Sequence, residues 1–112
     1  MKNIKDVKPK EIVPGVSGFY VHGDKHTFGY VELKQGSVVP EHNHIHEQIT
    51  YILKGQLDMI IDGQPYSLKD GMYHIIHSNV LHSAVAVTDC FVIDTFSPVR
   101  EEYKPFIAIS PE

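Results

Sequence analysis

Residues 40–56 read PEHNHIHEQITYILKGQ and place His42, His44, His46 and Gln48 at alternate positions. In an extended strand, alternate side chains face the same way, so the pattern predicts one surface that carries three imidazoles and an amide. Imidazoles at i and i+2 are a common way to present two nitrogens to one metal ion. Histidine runs also occur on exposed strands and in loops that bind nothing, so this run alone leaves both interpretations open.

The composition narrows the classes of function. A chain of 112 residues is long enough to bury a core without disulfides or a structural metal, so a metal here is expected to be functional. With a formal net charge of -4 the chain has no basic field for nucleic acid or an anionic membrane, and we expect neither partner. The single Cys90 lies in an apolar run and predicts a buried, inert thiol. The N-terminal stretch lacks a continuous apolar segment, which predicts a cytoplasmic protein without signal peptide or membrane span.

Short apolar or alternating runs predict an all-β sandwich or barrel rather than helices. Dipeptides at positions 54–55, 62–63 and 70–71 end in glycine and suit tight connections where φ is positive. The predicted strands are GFYVHG, FGYVELKQG, SVVPEHNH, QITYILKG, QLDMIIDG, QPYSLKDG, MYHIIHS, HSAVAVTD and CFVIDTFS. The mouth of such a barrel, where side chains of several strands meet, is the expected place for a ligand site.

The next candidate ligand after the first cluster is His82, in the run HSNVLHSAVAV. Three histidines from two strands and one oxygen donor would form a neutral shell of nitrogen and oxygen. Such a shell suits one divalent transition metal, namely zinc, nickel, iron or manganese, and the ligand types do not single out which.

These spacings resemble the two motifs of the cupin superfamily. In the first, five residues separate Gly36 from the His42-x-His44 pair, and Gln48 and Gly55 follow; the second has a counterpart in GMYHIIHSNVLH, which ends on His82. The resemblance spans about 36–100. It implies a double-stranded β-helix (jelly-roll barrel) and a metal held by His42, His44, Gln48 and His82. It also implies one domain over 1–112, with a barrel core of about 27–100 and tails at 1–16 and 101–112, and a homodimer.

Gln48 stands where most cupins place a glutamate. A neutral amide leaves the 2+ charge of the ion uncompensated, which favours Lewis-acid chemistry on a carboxylate substrate over oxygen activation. This variant and the run VIDTFSPVREEY resemble the KdgF-type pectin-degradation cupins, which convert 4,5-unsaturated monouronates to linear ketouronates. In that group an Asp, a Phe two residues on and an Arg four beyond it follow the barrel, and Asp94, Phe96 and Arg100 match them.

The resemblance implies that Asp94 transfers a proton, that Arg100 binds the carboxylate of a small anionic carbohydrate, and that Phe96 shapes the pocket. The residues themselves leave alternatives. Asp94 lies in an apolar strand, where a carboxylate either makes structural hydrogen bonds or stands ready for proton transfer. Arg100 suits bidentate capture of a carboxylate, although an arginine near a chain end is usually a solvated surface charge.

Three further histidines in or near the two motifs have no assigned role, and His22 and His26 are expected at the surface. His46 has the parity of the ligands but is skipped by the cupin pattern, so it is expected beside the ligands or at the pocket rim. His74 and His77 lie on opposite faces of a regular strand, and His74 is the expected interior one. A sugar-acid binding module without turnover, a metal-dependent oxygenase and a sugar isomerase remain alternatives to the uronate enzyme.

Overall fold

The computed structural model describes residues 2–105, and these form an almost entirely β structure. Two short 3₁₀ helices, Ile4–Asp6 and Glu101–Tyr103, flank the strands. The strands are β1 (Lys10–Val13), β2 (Val16–His22), β3 (Thr27–Leu33), β4 (Val38–His42), β5 (Glu47–Lys54), β6 (Gln56–Ile61), β7 (Gln64–Lys69), β8 (Tyr73–Ile76), β9 (His82–Ala86) and β10 (Cys90–Ser97). Within residues 2–105, no helix has the length and apolar character needed to cross a membrane.

The strands form two antiparallel sheets, which confirms the predicted all-β jelly roll. The larger sheet has the order β1-β2-β3-β10-β5-β8, and the smaller has the order β4-β9-β6-β7. All nine predicted runs occur as strands, while β1 was not predicted and pairs with β2 at the edge of the larger sheet. Of the predicted tail at 101–112, residues 106–112 lie outside the described residues.

The core lies between the inner faces of the two sheets, where alternate residues of each strand are buried. In β6, for example, Leu57, Met59 and Ile61 are buried while the residues between them are exposed. Ile52 and Val92 of the larger sheet face them and are almost fully enclosed. Since apolar burial is the main stabilising term in folding, this alternation fixes which face of each strand points inward.

Residues 40–56 are not one continuous strand, so the predicted single surface of alternate side chains does not run through them. β4 ends at His42 and belongs to the smaller sheet, whereas β5 begins at Glu47 in the larger sheet. Residues 43–46 carry the chain from one sheet to the other. His44 and His46 therefore lie in a connection at the mouth of the barrel.

The predicted tight connections are confirmed by their backbone angles. Gly55, Gly63 and Gly71 have φ of 105°, 76° and 82°, and Asp62 also has a positive φ. Gly55 is further constrained, since a Cβ there would meet the backbone oxygen of Asp89 and would lie 2.9 Å from the hydroxyl of Thr88. This connection requires glycine for its angle and also for its close packing.

We expect Gly55→Ala to lower the free energy of unfolding by clearly more than Gly71→Ala does. Both alanines would adopt the left-handed conformation, which costs about 1–2 kcal/mol. Only the alanine at position 55 would also displace the β9–β10 turn, because nothing lies within 4 Å of a Cβ at Gly71. Urea denaturation of both variants measures the difference. Equal losses would show that packing at Gly55 contributes nothing.

Candidate metal centre

Three histidines converge at the mouth of the barrel from three separate backbone segments. His42 ends β4, His44 lies in the connection that follows, and His82 begins β9 opposite His42 in the register. One ligand atom from each lies within 4.8 Å of the others. The ring centroids of His42 and His82 are 4.2 Å apart, and those of His44 and His82 are 4.9 Å apart. The pairing of β4 with β9 therefore brings His82 to the His-x-His pair.

Backbone carbonyls orient all three rings. Nδ1 of His42 lies 2.8 Å from the oxygen of Pro40, and Nδ1 of His82 lies 2.8 Å from the oxygen of Val80. Nδ1 of His44 lies 3.0 Å from the backbone oxygen two residues further on. A carbonyl oxygen only accepts, so each neutral ring donates its Nδ1–H and leaves the Nε2 lone pair free. This second hydrogen bond is what metal-binding histidines typically make.

The protonation states also fit metal binding. Burial, and next the positive charge of Arg100, lower the pKa of His44 to about 4. Burial likewise lowers the pKa of His82. Both rings are thus neutral at pH 7, which is the form that binds a metal. Nε2 of His82 is buried and has no hydrogen-bond partner among the described residues, a costly arrangement unless a cation lies there.

Gln48 completes the group. Its Nε2 donates to Oγ1 of Thr50 at 2.9 Å and to Oδ1 of Asp94 at 3.3 Å, which fixes the amide so that Oε1 lies 3.0 Å from Nε2 of His44. Neutral His44 has one N–H but faces two acceptor oxygens, at Nδ1 and at Nε2. A cation between Nε2 and Oε1 would remove this repulsion. The residues present therefore fit a divalent metal held by three imidazoles and one amide oxygen.

Asp94 lies two residues along β10 from Phe96, which is the register partner of Gln48. Asp94 is the register partner of Thr50, whose hydroxyl donates to Asp94 Oδ1 at 2.7 Å. Burial raises the pKa of the Asp94 carboxyl, against the opposing effect of the hydrogen bonds from Thr50 and Gln48. The carboxyl therefore has a direct hydrogen-bond link to a candidate metal ligand and an environment that favours proton uptake.

A cavity of about 70 Å³ connects these groups. Its lining combines apolar residues of the core with a group of polar and aromatic residues. That group consists of His42, Gln48, Thr50, His82, Asp94, Phe96, Arg100 and Tyr103. Residues far apart in the chain thus face one small chamber, where three of the four predicted ligands meet the predicted Asp-Phe-Arg trio. The fourth predicted ligand, His44, does not line the chamber but contacts Gln48, which does.

Arg100 is not a solvated surface charge, since only 7% of the residue is exposed. Its guanidinium carbon lies 4.7 Å from the ring centre of Phe96 and 4.1 Å from that of Tyr103. Its Nε donates to a carboxylate oxygen of Glu102. A buried arginine with two aromatic contacts is held in one orientation, as a binding group requires.

His46, His74 and His77 differ in their burial and in their distance from the three-histidine group. His46 is buried, its Nε2 lies 3.2 Å from the oxygen of Val99, and its ring lies beside that of His44. The ring of His74 packs on Tyr66 at 4.5 Å, away from the ligand group. His77 is exposed and lies 4.0 Å from a carboxylate of Glu47.

Sequence reasoning missed two residues of the chamber. Thr50 shares the inward face of β5 with Gln48, so strand parity alone would have pointed to it. Tyr103 lies in the 3₁₀ helix after β10, in the part of the chain predicted as a tail, and no sequence signal indicated that it returns to the cavity.

Comparison with known proteins identifies relatives of the whole barrel. The family model described as Cupin domain matches residues 29–96. The pectin degradation protein KdgF of Dickeya dadantii (strain 3937) is 35% identical over 75 residues, which cover 65% of this chain and 68% of that protein.

Solved structures agree. KdgF from Halomonas sp. superposes with a TM-score of 0.83 at 27% identity, covering 89% of this chain and 94% of that one. An RmlC-like cupin from Shewanella frigidimarina NCIMB 400 gives 0.84 at 26% identity, covering 89% and 91%. A predicted oxalate decarboxylase from Thermotoga maritima, at 21% identity and a TM-score of 0.76, shares the fold; it covers 86% of this chain and 96% of that one.

Proposed function

From the premise that this chain belongs to the cupin family and is KdgF-like, we propose that it converts 4,5-unsaturated monouronates to linear ketouronates. The observation that carries the proposal is the single chamber lined by Asp94, Arg100 and two members of the three-histidine group, His42 and His82. A pocket with a candidate cation site, a half-buried carboxyl and a fixed guanidinium suits a small sugar acid. The name of the Dickeya relative, a pectin degradation protein, supports this substrate class.

His42, His44, Gln48 and His82 would hold the metal. When bound, a divalent ion at this neutral ligand set supplies Lewis-acid polarisation of a substrate oxygen. Burial lowers the pKa of His44 and of His82, backbone carbonyls orient the three rings, and the Thr50 hydroxyl orients the amide of Gln48. These ligand types suit several divalent metals, so the metal that is bound depends also on which metals are available in the cell.

Arg100 would bind the uronate carboxylate, because a guanidinium offers paired N–H donors that match the two oxygens. Phe96, which is almost fully buried, forms the wall beside it and shapes the pocket. Together these two residues would fix the acid end of the sugar, so that the reacting carbons lie over the inner face of β10.

The reaction moves one proton. The anomeric hydroxyl loses a proton as the bond from C1 to the ring oxygen breaks, and C4 gains one as the C4=C5 enol becomes a ketone. Asp94 is the group that we assign to this transfer, because it lies inside the chamber and its pKa is raised towards the range useful for accepting and returning a proton.

The proposal is tested by adding 4-deoxy-4,5-unsaturated galacturonate to the purified, metal-loaded protein. We expect the absorbance of the C4=C5 double bond to disappear, the linear ketouronate to appear in proton NMR spectra, and a chelator to stop both. Calorimetric binding of the sugar acid without product would instead support a binding module. Consumption of oxygen that depends on ferrous iron would indicate an oxygenase, and product with an isomerised ring an isomerase.

We also infer that the protein is a homodimer that associates through the outer face of the larger sheet. The register aligns two rows of side chains across five strands of this face. We call them together the apolar sheet face: Phe19, Tyr30, Ile93, Tyr51 and Tyr73 in one row, and Val21, Phe28, Thr95, Ile49 and Ile75 in the other. No charged side chain lies in either row.

The area of the apolar sheet face suits a second copy of this chain. With about 200 Å² for a fully exposed aromatic side chain, the exposed parts of its side chains amount to on the order of 500 Å². That is most of the ~800 Å² that each partner buries in a stable dimer. Two copies of such a face match each other across a twofold axis. The ammonium of Lys5 lies over the rings of Phe19 and Tyr30 at one edge of the face and is paired with Glu32.

We expect Tyr51→Lys to convert the dimer to a monomer. Tyr51 is 37% exposed in the middle of the apolar sheet face, so the lysine is tolerated by the fold but would be buried without a partner in the dimer. Light scattering measures the mass, and Ile60→Lys on the outer face of the smaller sheet serves as the control. A monomeric parent protein, or a dimer that survives the Tyr51 substitution, would refute this interface.

A further inference from the structure

Arg100 presents an unusual burial problem. Its guanidinium always carries a charge, yet the residue is buried, with only 7% of its surface exposed. Its backbone N–H donates to Oγ1 of Thr27 at 2.9 Å, which anchors the start of the side chain to β3. The contacts of the charged end therefore decide in which direction its donors point.

Two aromatic rings cover the guanidinium. The rings of Phe96 and Tyr103 stand nearly perpendicular to each other, at 80°, with their centres 5.8 Å apart. The guanidinium carbon lies in the corner between them, 4.7 Å and 4.1 Å from the two centres. Such contacts stabilise a flat cation and restrict its rotation.

Glu102 occupies one edge of the same group. Within residues 2–105, the guanidinium of Arg100 makes a single hydrogen bond, from Nε to Glu102. The two Nη groups are therefore left for another acceptor. Since Arg100 lines the chamber, the free end of the fork lies towards that cavity.

Tyr103 is itself fixed from behind. Its ring stacks on that of Tyr20, with centres 4.4 Å apart and an angle of 29° between the planes. Tyr20 lies flat on the sheet because its neighbours Gly18 and Gly29 have no Cβ; at Gly29 a Cβ would lie 2.6 Å from the Tyr20 ring. The position of Tyr103 is therefore set by β2 and β3 and not by its own short helix alone.

We propose that Tyr103 and Glu102 are positioning residues that hold Arg100 so that its Nη end faces the chamber and selects ligands with a carboxylate. The proposal rests on the proposed function for the identity of the sugar acid, but the recognition of a carboxylate is tested separately. Phe96 and Tyr103 fix the plane of the guanidinium, and Glu102 fixes its direction within that plane. A neutral sugar of the same size would leave the Nη groups without an acceptor and would bind poorly.

The first test compares kinetics of metal-loaded variants on the unsaturated uronate. We expect Tyr103→Leu and Glu102→Gln each to raise KM by about tenfold with little change in kcat, because both loosen carboxylate binding and leave Asp94 untouched. Tyr103→Phe keeps the ring and should restore the parental KM. Glu101→Gln is the matched control, since Glu101 is exposed and pairs with Lys104 instead.

The second test needs no turnover. Calorimetry with saturated galacturonate and with galactose compares a carboxylate with a neutral sugar, and we expect the parent protein to prefer galacturonate and the Tyr103→Leu and Glu102→Gln variants to lose that preference. If the parent binds galacturonate selectively but makes no product, the proposed function fails and the positioning roles stand. Parental KM and parental selectivity in both variants would overturn the positioning roles, as would a parent protein that binds both sugars equally.

Discussion

Replacing Asp94 with asparagine is expected to lower kcat on the unsaturated uronate by about 10²–10⁴-fold, the usual contribution of a general acid or base. Asparagine has nearly the same size, and its Oδ1 can still accept the hydrogen bond from Thr50 that the aspartate accepts at 2.7 Å. The variant loses the ability to take up and return a proton. It should therefore fold and bind metal as the parent does, but fail in the step from enol to ketone.

The measurement pairs turnover with metal content. Metal analysis of Asp94→Asn should match the parent, so that a lost ligand cannot explain the lost rate. Asp58→Asn is the control, because Asp58 accepts comparable hydrogen bonds from Gln56 and Ser67 on the outer face of the smaller sheet. Full turnover in Asp94→Asn with metal bound would show that the proton is moved by another group.

Replacing His82 with alanine is expected to remove the bound metal and all turnover. His82 is 2% exposed, and its buried Nε2 has no partner within residues 2–105. Because the site is shielded from solvent, a water molecule would not easily take the place of the lost imidazole. Loss of a hydrogen-bond partner to a ligand typically lowers metal affinity 10–100-fold, and loss of the ligand itself should exceed this. Chelation of the parent should give the same loss, reversed when metal is added back.

The prediction is tested by measuring the metal content of His82→Ala by atomic emission after gel filtration. His77→Ala is the matched control, since its imidazole is exposed and lies outside the three-histidine group. It should keep the metal and the rate of the parent. If His82→Ala retained stoichiometric metal, then the ligand set of His42, His44, Gln48 and His82 would be wrong.

The strands could be predicted because their signals are local. Alternation of apolar residues and glycines with positive φ both act within a few positions, and every quoted run is a strand in the structure. β1 escaped prediction because Lys10–Val13 has weak alternation and owes its strand form to pairing with β2. The crossing at residues 43–46 escaped it because the histidine pattern continues through a change of sheet.

The sequence predicted the site residues that are placed by alternation along a strand. It did not predict those that are placed by contacts between distant parts of the chain. Asp94 and Phe96 share the inward face of β10, as two-residue spacing indicates. The burial of Arg100 depends on Tyr103, whose place depends in turn on Tyr20 and two glycines of distant strands. A sequence pattern over a few neighbouring residues does not indicate contacts between residues so far apart in sequence.

The crossing at residues 43–46 has a consequence for how metal acts on the folding equilibrium. His42, His44 and His46 are close in sequence and remain a partial chelate in the denatured chain, whereas His82 reaches them only when β9 pairs with β4. A metal ion with affinity for both states would raise the melting temperature by less than its affinity for the native protein alone would give. Metal would also hold the denatured segment compact, so the apo and loaded proteins should differ in the slope of their denaturation curves as well as in their midpoints.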